Sequence, residues 1–166
     1  AIVWLAYDAE IDTIYLLKSY AEKGKNAPVH AAAANSYLDF APVVFPHDID
    51  IREKGSGKTL RRYYAEAGLK NTVDFKNHDG TRYVEPGIQE LYDRMMSGRF
   101  KVLDTPDNQL FFREMRQYHR DDGKIVPMDD DVISAVRYGA IMITRYGVPY
   151  GGRKGRRGKP RVKTSF

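Results

Sequence analysis

Val43-Val44-Phe45-Pro46-His47-Asp48 decides the fold class: three apolar residues in a row, closed by a proline and followed by an acid. A wholly apolar run this short suits a strand buried on both faces, as parallel sheets require. Just upstream, four consecutive alanines (Ala31, Ala32, Ala33, Ala34) follow Pro28, a residue tolerated in a first helical turn. That pattern predicts a helix over 29–40, stopped by Pro42, which pushes its preceding residue out of helical backbone. Downstream, a helix is expected over 59–67 with Gly68 as its stop, and a short strand over 72–75.

Moving outward, the first twenty residues read as a hairpin. Residues 2–7 and 13–20 are rich in β-branched, aromatic and aliphatic side chains, and the polar residues 8–12 supply the turn. Toward the other end, Ile88, Leu91, Tyr92, Met95 and Met96 recur at helical spacing over 86–96, ending at Gly98. A strand over 100–103, an amphipathic helix over 107–119 and a small hairpin turning at Asp121-Asp122-Gly123 follow. The last helix, 130–146, is apolar on nearly every side and is therefore expected to be buried. Strands separated by helices make a largely parallel sheet with helices on both faces, and the opening hairpin adds an antiparallel edge. The fold class is α/β.

The chain of 166 residues suits one domain with a single core. No apolar run reaches the length of a membrane span, so a membrane partner is not expected. With no cysteine, disulfides and thiolate metal sites are excluded. The net charge of +5 is unevenly spread. Residues 151–166 carry seven basic residues and no acid, whereas residues 1–150 hold 20 basic against 22 acidic. The domain is accordingly placed at 1–150, and 151–166 is expected to be a disordered basic tail. Because Ala1 leads straight into a strand-like run, the chain reads as a piece of a longer protein, truncated at its N-terminus.

Two acidic clusters carry the chemistry. Asp48, with Asp50 close by, sits at the carboxyl end of the 43–45 strand, the edge where open α/β sheets bind ligands. Asp129-Asp130-Asp131 stands immediately before the buried helix, and neighbouring carboxylates repel unless a cation or water screens them. Mg²⁺ and Mn²⁺ choose such oxygens, and two of them can clamp the attacking and leaving oxygens of a phosphodiester. Each cluster also has an ordinary reading, Asp48 as a turn residue and the Asp triplet as a helix cap. Their joint presence in one α/β chain brings the two readings level.

Gly55-Ser56-Gly57-Lys58-Thr59 imitates the end of a phosphate-binding loop, but Arg52 stands where that motif needs its first glycine. It reads as a polar loop whose Lys54 and Lys58 could meet DNA phosphates. His30, His78 and His119 read as surface or structural residues, while His47 adjoins Asp48 and is a weaker candidate for a supporting or substrate contact.

Three segments resemble one family: Val43-Val44-Phe45-Pro46-His47-Asp48, the Arg52 to Thr59 loop, and above all Asp130-Asp131-Val132-Ile133-Ser134-Ala135-Val136-Arg137-Tyr138. They are similar to the large terminase subunits of headful-packaging, short-tailed bacteriophages, over about residues 1–146. The resemblance implies a ribonuclease H-like nuclease domain, with a mixed sheet between helices on both faces, that cuts concatemeric double-stranded DNA with two Mg²⁺ or Mn²⁺ ions. It makes Asp48, Asp130 and Asp131 the metal-binding catalytic acids, with one of Asp130 and Asp131 a direct ligand. It also implies a packaging ATPase domain elsewhere in the full-length chain, absent here, and a further catalytic Asp on a strand preceding the hairpin, a place for which Asp8 and Asp12 are poor substitutes. The implied partners are DNA, the portal protein and the small terminase subunit, and the implied setting is the host cytoplasm, transiently on the procapsid. Arg153, Lys154, Arg156 and Arg157 of the tail would meet DNA phosphates or an acidic partner surface. A non-catalytic DNA- or portal-binding module is the alternative.

Overall fold

The computed structural model describes residues 1–78, 80, 83–126 and 129–148. The basic tail, with Arg153, Lys154, Arg156 and Arg157, lies outside the described residues. The hairpin is formed by β1 (Ile2–Asp8) and β2 (Thr13–Tyr20), antiparallel from Ile2↔Tyr20 to Asp8↔Thr13 with an irregularity between Trp4 and Leu5. The remaining order is α1 (Ala27–Asn35), β3 (Val43–Phe45), α2 (Leu60–Glu66), β4 (Thr72–Asp74), α3 (Val84–Met96), β5 (Phe100–Val102), a 3-10 turn (Pro106–Asn108), α4 (Gln109–Gln117), β6 (Arg120–Asp121), β7 (Lys124–Ile125) and α5 (Asp131–Tyr146).

The expected mixed sheet is present in sections. β5 joins β2 in parallel, giving the order β1-β2-β5, while β3 and β4 form a separate parallel pair and β6-β7 a small hairpin. The opening hairpin is therefore not wholly at the edge: β2 is internal, and β1 has no second strand neighbour among the described residues.

Alternation along the strands shows that the two main sections share the same two faces. Val3, Leu5, Tyr7, Ile14 and Leu16 pack toward α3, α4 and α5, with Leu91, Phe111, Val132 and Val136. Ile2 turns the other way, into a cluster with Ala31 and Ala34 of α1, and buried Trp4 meets Tyr37 edge-on at 5.9 Å. In the second section, Val43 and Phe45 face the cluster of α1 and α2, whereas Val44 and Val73 face Ile141 and Met142 of α5. Helices thus cover both faces.

The all-round apolar character of α5 follows from this arrangement. Val132, Ile133, Val136 and Ala140 serve one cluster, and Ile141 and Met142 the other. Each of the valine, isoleucine and methionine side chains, fully buried, contributes roughly 1.5–3 kcal/mol of transfer free energy. Gly139 permits the closest approach, since a Cβ there would lie 2.6 Å from Leu5 Cδ1.

Among the boundaries that differ from expectation, two have clear local reasons. The alanine helix ends at Asn35 rather than running to residue 40, because Ser36 turns back on it. The Ser36 hydroxyl donates to the Ala33 carbonyl at 2.7 Å, and Leu38 then adopts φ +54°, which closes a turn through Ala41 N–H to Leu38 O. Pro42 comes too late to be the stop. Helix α3 starts at Val84, ahead of Pro86, so the proline sits inside the first turn, where its missing N–H costs nothing.

Candidate functional site

Asp48 is held on a turn anchored at both sides. Phe45 and Ile49, each 5% exposed, bury themselves in the α1–α2 cluster, while Ile49 N–H donates to Pro46 O and Ile51 N–H to Asp48 O. Between these anchors the Asp48 side chain is exposed, and among the described residues no hydrogen bond or ion pair engages its carboxylate. Apolar residues on both sides therefore fix its backbone and leave its oxygens to solvent.

Asp50, two residues on, is already committed. Arg61 of α2 grips it through both nitrogens, Nε to Oδ1 at 2.7 Å and Nη2 to Oδ2 at 2.9 Å, and also reaches Asp74 Oδ1 at 2.7 Å. Those two carboxylates raise the Arg61 pKa further above its already high value, Asp50 contributing first. This clamp ties the exit of β3 to the end of β4 and to α2. The neighbouring 52–59 loop is closed on itself, with Arg52 and Thr59 bridging as antiparallel partners and Gly57 at φ +68°. Lys58 pairs with Glu66 at 3.0 Å and lies over the Tyr63 ring, whereas Lys54 is exposed.

The second cluster stands at the start of α5. Asp130 is the capping residue and Asp131 the first helical one. Asp130 O accepts the Ser134 N–H at 2.8 Å, and its Oδ2 accepts the Ser134 hydroxyl at 3.3 Å. The Asp131 side chain is exposed and has no hydrogen-bond or ion-pair partner among the described residues. Asp129, at φ +46°, points away to a largely exposed pairing with Lys23.

The helix end is capped by an acid from elsewhere. Glu114 of α4, 3% exposed, accepts both Val132 N–H and Ile133 N–H on Oε2. Burial pushes its carboxyl pKa up, the two N–H groups pull it back, and the nearby Asp131 and Asp130 charges push it up again. Burial likewise raises the Tyr118 hydroxyl beside them, with Asp130 adding to it.

What joins the two clusters is α5 itself. His47 Nδ1 lies 3.2 Å from the Tyr138 hydroxyl, so the exit of β3 leans on α5. Tyr138 is two turns beyond Asp131, about 10 Å along the axis at ~1.5 Å per residue. Among the described residues, no three Asp, Glu or His side chains gather closely enough to hold a metal ion. Asp48 and Asp131 offer hard oxygen donors that are free of other partners among the described residues.

Asp12 is no stand-in for a further acid. It is taken up by Arg94, Arg99 and Tyr7, and the Arg94 guanidinium first, then the Tyr7 hydroxyl, hold its carboxyl below the ordinary range.

Glu114 and Arg61 are residues that the sequence does not single out, and Tyr138, which closes the Asp130–Tyr138 stretch, carries no role there. Glu114 left a trace, an acid on the same face of α4 as Phe111, three residues earlier. Arg61 left none, because its carboxylate partners lie across a turn, and the contact of Tyr138 with His47 left none because the two are 91 residues apart.

Comparison with known proteins bears on the family and the fold. Residues 1–142 match the family model of the terminase RNaseH-like domain. The chain is 43% identical over 148 residues to the terminase large subunit of Enterobacteria phage LP7, covering 87% of this chain and 30% of that protein. It is also 43% identical over 145 residues to the terminase large subunit of Salmonella phage P22, covering 86% of this chain and 28% of the relative. The chain thus spans less than a third of the length of these relatives. The solved P22 large terminase nuclease domain superposes with a TM-score of 0.75 at 40% identity, covering 87% of this chain and 74% of that one. Family model, relatives and fold converge: the chain belongs to the terminase RNaseH-like domain family.

Proposed function

We propose that this domain is a metal-dependent endonuclease that cuts concatemeric double-stranded viral DNA during genome packaging. The observation that carries this reading is the placement of Asp48. It is an exposed acid whose carboxylate has no partner among the described residues, at the carboxyl end of parallel strand β3, in a domain built like the P22 large terminase nuclease domain. Asp131 supplies a second carboxylate without a partner among the described residues, and Asp130 stands beside it, oriented by Ser134.

Mg²⁺ or Mn²⁺, two ions in the full reading, would take oxygen donors from Asp48, Asp130 and Asp131 and supply an activated water and a stabilised leaving oxygen. The described residues alone do not complete such a centre, since no three acids converge among them. This chain's own contribution is to hold two acidic platforms firmly, the β3 turn by Phe45, Ile49 and the Arg61 clamp, and the α5 start by Glu114. Lys54 and Lys58 flank the β3 turn and would meet DNA backbone, with Lys58 leaving Glu66 to do so. The tail residues Arg153, Lys154, Arg156 and Arg157 are proposed to add phosphate or partner contacts. The portal protein, the small terminase subunit and the packaging ATPase domain are the proposed assembly partners, in the host cytoplasm on the procapsid.

Asp48→Asn and Asp131→Asn test this directly in a Mn²⁺-dependent plasmid-nicking assay. Loss of metal-bound charge stabilisation is worth several kcal/mol, so each variant is expected to cut at least about a hundredfold more slowly. Cutting at the unsubstituted rate by Asp48→Asn overturns the reading. The second reading, a DNA- or portal-binding module without catalysis, is favoured by the absence of a three-acid cluster among the described residues. It predicts no cleavage with any metal while DNA affinity and its salt dependence persist.

A further inference from the structure

The exit of β3 carries an exposed histidine that is supported from behind. His47 immediately precedes Asp48, and the one side-chain hydrogen bond it makes among the described residues joins Nδ1 to the Tyr138 hydroxyl at 3.2 Å. Tyr138 is itself braced. Its ring meets fully buried Phe75 edge-on at 4.6 Å, and the Arg137 guanidinium lies 4.2 Å from its centroid. Arg137 is 4% exposed and also lies over Phe75 at 5.7 Å. No acid among the described residues pairs with that guanidinium, and Nη1 has no hydrogen-bond partner, so it is the rings that hold it in place. Close packing extends further back, because a Cβ on Gly87 of α3 would lie 2.9 Å from Arg137 Cγ.

The imidazole of an exposed residue is thus held through one nitrogen, next in sequence to the proposed catalytic acid. With the phenol donating to Nδ1, the neutral ring carries its proton on Nε2 and presents a hydrogen-bond donor. Phosphate oxygens accept such donors, whereas Mg²⁺ and Mn²⁺ prefer oxygen over imidazole nitrogen. We propose that His47 is a DNA-phosphate contact of the cleavage site, and that Tyr138 is the positioning residue that aims its Nε2 at the phosphate. The proposal rests on the reading of Asp48 as catalytic only for its location, since phosphate binding can be measured without cleavage.

The test compares the unsubstituted protein with His47→Ala, Tyr138→Phe and the double variant. Tyr138→Phe removes one oxygen and keeps the ring packed on Phe75 and Arg137. Affinity for a short DNA duplex is measured without divalent metal, and plasmid nicking with Mn²⁺ is measured beside it. His47→Ala is expected to weaken duplex binding by about threefold to tenfold, one phosphate hydrogen bond, and Tyr138→Phe by less. The double variant is expected to match His47→Ala alone, as required if Tyr138 acts through His47. Multiplying effects in the double variant, or unchanged affinity in His47→Ala, overturn the proposal. So does a His47→Ala variant that needs more Mn²⁺ for half-maximal nicking at unchanged DNA affinity, because that assigns Nε2 to metal. If Asp48→Asn still cuts while the coupled affinity losses appear, the proposed catalytic acid has failed and the phosphate contact stands.

Discussion

The carboxylate of Glu114 on α4 accepts the backbone N–H of Val132 on α5 at 2.9 Å, and the same Oε2 takes Ile133 N–H at 3.0 Å. Helix starts leave such N–H groups without internal partners, and here a buried acid from another helix satisfies two of them. Glu114→Ala is expected to lose about 1–3 kcal/mol in urea unfolding at neutral pH, because both donors lose their partner in a buried place. Glu114→Gln should retain most of that stability, since one amide oxygen can serve both donors. Equal losses in the two variants would show that volume, not capping, is what the site requires.

A pH effect follows from Asp12. Its carboxyl is held low by Arg94 first, then by Tyr7 and Arg99, so its stabilising effect is complete above the unfolded-chain value and is lost as pH falls through the folded one. Because the carboxylate is partly exposed, solvent screening limits the gain to about 1 kcal/mol. Asp12→Asn is therefore expected to lower the unfolding midpoint at neutral pH, with the gap to the unsubstituted protein closing below about pH 4. A gap that stays constant on acidification would contradict the assignment.

Arg61 ties Asp50 to Asp74, and with them the turn that carries Asp48. Arg61→Met keeps the aliphatic bulk and leaves two carboxylates facing one another. Global stability is expected to fall by only about 1 kcal/mol, as for partly exposed pairs. Nicking is expected to fall by about tenfold or more, because the acid loses its fixed geometry. Activity and stability falling in proportion would instead mean that the clamp serves the fold alone.

Gly87 lies where α3 meets α5. A Cβ there would come within 2.8 Å of Ile141 Cδ1 and 2.9 Å of Arg137 Cγ. Alanine would favour the helix by up to about 1 kcal/mol, but displacing a braced stem costs about 1–3 kcal/mol. Gly87→Ala is accordingly expected to be destabilising overall by thermal unfolding. Measured stabilisation would show that the Arg137 side chain is looser than its two ring contacts imply.

Much of this architecture was legible because its signals are local. The apolar triplet Val43-Val44-Phe45, the hairpin and the all-round apolar α5 each carry their own period, and the structure places them as read. Boundaries were less legible where a side chain competes with the helix, as Ser36 does, or where one residue takes a left-handed turn, as Leu38 does. The division of the sheet depends on pairing between distant strands, which no local pattern encodes. At the candidate site the acids themselves stood out, but their surroundings did not. That Asp50 is bound, while Asp48 has no partner among the described residues, depends on where Arg61, eleven residues beyond Asp50, points. Glu114 stands out only as an acid on the Phe111 face of α4, and its capping role is not legible until α5 is laid across it.

The central claim is that Asp48 and the Asp130/Asp131 pair serve one metal-assisted reaction. It is tested most directly by anomalous scattering from crystals of the protein soaked in Mn²⁺. The account predicts manganese peaks coordinated by Asp48 from one side and by Asp131, Asp130 or both from the other, peaks that disappear in Asp48→Asn. Manganese absent from both acids in well-ordered crystals, or bound at one cluster with the other left in solvent, would contradict it.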